Sequence, residues 1–203
     1  MNKKLHIPTS IVLFAVGLFP LLFLLEDTQF ELITSVNPYQ FSTSFGIIGF
    51  YPHSIFSGIA LLIGWLLFSK KLINKHFRLY LIAAKIYIVA TILSAMGIIY
   101  IGYFISGGSI VVTTGFISLG LIWFYSSLRA YRYTIEKNLL AQHRMMFYSY
   151  AACLSVITLR LWLMLLGSVI IEINLMMMIV AWLSWIPNLI VAFIINRRMG
   201  MRL

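Results

Sequence analysis

LYLIAAKIYIVATILSAMGIIYIGYFISGGSIVVTTGFISLGLIWFYSS, residues 79–127, is the stretch on which the fold turns. It holds two apolar runs, 79–104 and 110–127, joined by the turn quartet Ser106-Gly107-Gly108-Ser109. A helix needs about 20 apolar residues to cross the hydrocarbon of a bilayer, and each run approaches or exceeds that length. Lys75 and Arg78 precede the first run, while Arg129 and Arg132 follow the second. The pair reads as a membrane hairpin with a small polar turn on one side and basic ends on the other.

The rest of the 203 residues repeats this pattern. Apolar stretches at 8–25, 52–68, 145–166 and 174–195 bring the expected spans to six, with an outer loop at 26–51. The expected architecture is all-α: one membrane domain over 1–203, a six-helix bundle with both termini inside. Six spans place Lys3, Lys4, Lys70, Lys71, Lys75, Arg78, Arg129, Arg132, Lys137, Arg144, Arg197, Arg198 and Arg202 on the inner side. The outer side receives Glu26, Asp27, Glu31 and Glu172. That asymmetry orients helices during insertion.

Composition agrees. Hydrophobic residues make up 62% of the chain and charged ones 10%, with a mean hydropathy of +0.98. Soluble domains are about 45–50% apolar and about 25% charged. The net charge of +10 lies at span ends, so it points to orientation and to anionic lipid headgroups at the inner face, not to nucleic acid. Cys153 is the sole cysteine, which rules out an intrachain disulfide or a thiolate cluster. The first apolar stretch runs straight into Glu26-Asp27 without a small-x-small cleavage site, so it reads as a retained helix.

Two cations fall within spans, Lys85 and Arg160. Lysine snorkels to the interface, whereas an intramembrane arginine normally faces the bundle interior or a wet cavity. Helical spacing puts Ser149, Cys153, Val156 and Arg160 on one stripe, the pattern of an inward face. A salt bridge to Glu172 or contacts to backbone carbonyls form one reading of Arg160. An anion site, for a propionate, a lipid phosphate or an anionic substrate, forms the other.

Histidines suit axial ligation of haem b, and His53, His143 and His76 are the candidates. His53 is expected at the outer side, while His76 and His143 are inner. In the last span, Pro187 should kink the helix, and Ser184, Trp185 and Asn188 form a polar group that packing or a ligand pocket would use. No catalytic motif is present. There is no phosphate loop, no HExxH and no pair of intramembrane carboxylates for a proton relay.

AQHRMMFYSYAACLSVITLRLWL (141–163) resembles the HRxWMxRSYAxxxxxxTLRxxL signature of a family of bacterial multi-pass membrane proteins, domain of unknown function 2306. LIWFYSSLRAYRYTIEKNLLAQHR resembles its lead-in, and AWLSWIPNLIVAFIINRR its closing helix. The resemblance covers about 52–198 and falls on His53, His143, Arg144, Arg160, Trp185 and Asn188. Tyr80 stands where the family commonly has a histidine and Ala84 where it has a glycine, while Lys85 and Tyr87 are retained. The second basic residue of the HRxWMxR run is absent. The resemblance implies a bacterial cytoplasmic membrane and carries no activity with it.

Three functions remain open at this point: a non-enzymatic binder of a small anionic ligand or lipid, or an assistant of a membrane complex; a haem-bearing electron carrier; and a small transporter, which would need to form a homo-oligomer.

Overall fold

The structure, a computed structural model, describes residues 44–105 and 109–200. These residues are helical, with no strand among them. Helix α1 covers Ser44–Gly64 and runs on through a 3-10 turn, Trp65–Phe68. The short α2, Lys70–Lys75, leads into α3, Phe77–Ile105. Then come α4, Ile110–Ile135, and α5, Leu139–Cys153. The last four are α6, Ser155–Gly167, α7, Ile173–Leu183, and α8, Ile186–Gly200; the last two form one broken span. Five spans are long and apolar enough to cross a membrane: Ile48–Phe68, Phe77–Tyr103, Ile110–Ile135, Leu139–Gly167 and Ile173–Arg198. The span expected at 8–25, the loop residues 26–43 and both termini lie outside the described residues.

Element ends differ from the sequence reading in informative ways. Residues 44–51, expected in the outer loop, belong to α1, with Pro52 inside the helix instead of at its start. After Ser44 nothing in FGIIGFY competes for the backbone, and membrane helices tolerate an internal proline. Helix α4 runs to Ile135, two turns past the expected 127, because its tail SLRAYRYTI keeps helical formers into the interface. It ends where Lys137 takes a left-handed conformation (φ 55°). There Lys137 N bonds Thr134 O at 3.2 Å and Asn138 N bonds Tyr133 O at 2.9 Å, the Schellman pair. Asn138 then caps α5, accepting from Ala141 N at 3.1 Å, so α5 begins at 139 instead of 145.

Two spans are broken. The fourth, Leu139–Gly167, breaks at Leu154 and the fifth, Ile173–Arg198, at Ser184-Trp185, with Pro187 in the first turn of α8. A proline in a first turn loses no helical bond, so the kink expected there takes the form of a stop and restart.

Close packing follows from small residues. A Cβ on Gly97 would lie 2.8 Å from the His53 Cβ, and one on Gly64 would lie 2.4 Å from the Tyr150 ring. These contacts let α1 sit directly on α3 and α5, as membrane helices do when packing and not water drives association. The main core joins Ala60, Leu61, Ala84, Tyr87, Trp123, Met146 and Tyr150 from α1, α3, α4 and α5.

The helix ends carrying basic residues meet on one face. Phe68 packs edge-on against His143, with ring centroids 5.3 Å apart, and Asn196 Nδ2 donates to the Arg144 carbonyl at 3.1 Å. This basic face gathers the ends of α1, α5 and α8. Ser109 and Glu172 belong to helix ends directed away from it.

Candidate functional site

The interior holds a hydroxyl chain that the sequence did not assemble, although Ser149 stood on the expected inward stripe. Ser149 Oγ on α5 lies 2.9 Å from the Tyr87 hydroxyl on α3 and 2.9 Å from Ser127 Oγ on α4. All three are buried. A hydroxyl has one proton and two lone pairs, so Ser149 can serve both neighbours at once, donating to at most one of them. The next residue, Tyr150, donates to the Leu61 carbonyl at 3.4 Å, and one turn on from Ser149 the Cys153 thiol faces the Ser57 carbonyl at 3.9 Å. The expected inward stripe is therefore real as far as Cys153. Beyond the break at Leu154, Val156 and Arg160 are half-buried on α6.

His53 sits inside α1, nine residues after its start. Its Nδ1 donates to the Ser94 carbonyl at 2.8 Å. Ser94 Oγ lies 2.9 Å from the same nitrogen and donates to the His53 carbonyl at 3.1 Å. A carbonyl only accepts, so the proton of the neutral ring is on Nδ1 and the lone pair on Nε2. Trp123 meets the imidazole edge-on, with centroids 6.3 Å apart.

His143 lies at the basic face, edge-on to both Phe68 and Phe147 at 5.3 Å. Fifteen residues separate His53 from Phe68 along α1, which is about 22 Å at 1.5 Å per residue. His53 therefore lies well away from His143 at the basic face, and the two do not share a ligand. His76 is exposed in the α2–α3 connection. Tyr80, at the place of the family's histidine, is buried and stacked on Phe77 at 6.0 Å. Among the described residues no group of three or more His, Cys, Asp or Glu is placed to hold a metal ion.

The polar group of the last span forms a joint. Asn188 Nδ2 donates to Thr158 Oγ1 at 3.1 Å and to the Ser184 carbonyl at 3.2 Å. Thr158 Oγ1 also donates to the Ser184 carbonyl. This ties α6 to the break between α7 and α8. Trp185 Nε1 caps the Ala181 carbonyl at 2.9 Å. Trp182 reaches across to the Val111 carbonyl at 3.2 Å.

Arg144 is half-buried at the basic face, and its Nε has no partner among the described residues. Gln142, fully buried two residues earlier, has no partner for its Oε1, and its Nε2 faces only the Met146 sulfur at 4.0 Å. Lys85 is exposed on α3. The sequence candidates thus occupy four places instead of one: His53 inside α1 against Ser94 and Trp123, the Ser184–Asn188 joint and Arg160 in the α6–α8 region, His143 and Arg144 at the basic face, and Lys85 on the outer surface of the bundle.

Comparison with curated proteins and with solved structures gives no match. A family profile described as predicted membrane protein, DUF2306, matches residues 50–196. That region contains all five spans apart from their outermost residues, and with them every site just described, so the chain belongs to the DUF2306 family of membrane proteins.

Proposed function

We propose that this protein is a non-enzymatic membrane binder of anionic amphiphiles, with lipid as the principal ligand class. The observation that carries this reading is a one-sided charge. The five spans contain Arg78, Lys85, Arg129, Arg132, Arg144, Arg160, Arg197 and Arg198, and no Asp or Glu. Among the described residues the acidic ones are Glu136 and Glu172, both exposed and outside the spans. Cations at membrane depth need compensation, and anionic headgroups supply it at about 1 kcal/mol per basic residue near the surface. On this reading the basic face is cytoplasmic, in a bacterial inner membrane, with both termini on that side.

A haem carrier has one supporting feature, the Nε2 lone pair of a pinned His53. It lacks a second histidine at that level among the described residues. Anionic lipid is therefore the better reading.

The test is the lipid content of protein purified in mild detergent, read by native mass spectrometry together with an absorption spectrum before and after dithionite. Retained anionic lipid in excess of its membrane share, with no Soret band, is the expected result. Zwitterionic lipid alone, or a Soret band that shifts on reduction, overturns it.

A further inference from the structure

On the outside of the bundle, α1 and α3 leave a groove of about 300 Å³ lined by Phe56, Ile59, Lys85, Ile86, Val89 and Ala90. Five of the six residues are apolar, and Lys85 is the only charged group in the lining. The groove lies in an exposed apolar surface. Ile82, Ile86, Val89, Leu93 and Met96 are all exposed along this side of α3. Lys85 falls one turn after Ile82 and one turn before Val89.

The depth is informative. Lys85 follows Arg78 by seven residues, or about 10 Å along the helix. Arg78 belongs to the basic face. A lysine stem directed back toward that face brings its ammonium close to headgroup level. The apolar part of the groove extends the other way, toward the bilayer centre, from Lys85 to Val89 and Phe56. A cation at the interface and an apolar slot running inward match one molecule: a glycerophospholipid with its phosphate at Lys85 and one acyl chain between α1 and α3.

We infer that this groove is a binding site for a single anionic glycerophospholipid of the leaflet on the basic face. The inference rests on the lipid-binding reading above and assigns it a place. Charge also decides between occupants. A second copy of the chain laid against the groove through its five described spans would bring no Asp or Glu. It would cover Lys85 without a partner, a costly burial. A phospholipid brings the phosphate.

The experiment uses the full chain in nanodiscs or detergent with equal phosphatidylglycerol and phosphatidylcholine, and counts bound lipids by native mass spectrometry. The wild type should hold, beyond any lipid at the basic face, one phosphatidylglycerol in this groove with about fivefold preference, the effect expected of one interfacial cation. Lys85→Met should lower the bound phosphatidylglycerol by that one molecule, and Lys85→Arg should keep it. Val89→Trp, a change at an exposed position, should fill the groove and remove the bound lipid with either headgroup. Equal preference in wild type and Lys85→Met, or a lipid count untouched by Val89→Trp, overturns this site while leaving lipid binding elsewhere intact. A wild type with no anionic preference overturns both readings. A dimer whose groove is lipid-free overturns the site in favour of a second copy.

Discussion

Ser149 shows how much a single side chain organises in this interior. It joins three helices through two hydrogen bonds of 2.9 Å, to Tyr87 and Ser127. Polar pairs between membrane helices average about 0.6 kcal/mol, but leaving a buried polar group unpaired costs about 1–3 kcal/mol. Ser149→Ala strands two hydroxyls, whereas Tyr87→Phe removes one and leaves Ser149 still paired with Ser127. We therefore expect Ser149→Ala to cost about 1–2 kcal/mol and Tyr87→Phe about half that or less. The double variant should cost less than the sum, since groups in one network couple. Steric trapping in bicelles would measure all three, and strictly additive losses would show that the chain is not a network. Only part of this site is legible without the fold. Ser149 was visible on a stripe of small residues, but Tyr87, Ser127 and Ser94 are ordinary span residues until the helices are placed side by side. Gln142 was hidden for the same reason, being a buried amide that reads as interface composition beside His143 and Arg144.

At the level of elements, long apolar periodic runs were legible because length and hydropathy need no partner to be read. Ends and breaks were not. The α4–α5 junction depends on hydrogen bonds between Tyr133, Thr134, Lys137 and Asn138, and the sequence offers Lys137 where a glycine would be expected. A non-glycine residue in the left-handed region pays about 1 kcal/mol. Lys137→Gly should therefore stabilise the folded protein by about 0.5–1 kcal/mol, offset in part by the added freedom of the unfolded chain. A thermal or steric-trapping measurement checks the sign, and a loss of stability would mean that the Lys137 side chain itself holds the junction. Pro187 illustrates the same limit. Its presence announced a disturbance in the last span, but the joint that absorbs it needs Thr158 from another helix.

At the level of the whole molecule, the clustering of basic residues into one face connects folding to orientation. Phe68 meets His143 and Asn196 meets Arg144, so the basic ends are neighbours in space as well as alternating in sequence. Alternation alone predicts a direction of insertion; spatial convergence adds a continuous positive surface that anionic lipid would hold against one leaflet. Both favour the same side. Cys153 makes the direction measurable, because the chain's only cysteine is 1% exposed and contributes little labelling by a bulky reagent. Asn74, exposed beside the basic face, and Ser168, exposed between α6 and α7, are suitable places for a new thiol. With a membrane-impermeant maleimide on intact cells, Ser168→Cys should label and Asn74→Cys should stay silent until the membrane is permeabilised. The reverse pattern would place the basic face outside, and the groove at Lys85 would then open to the other leaflet, where its phospholipid would have to come from a different pool.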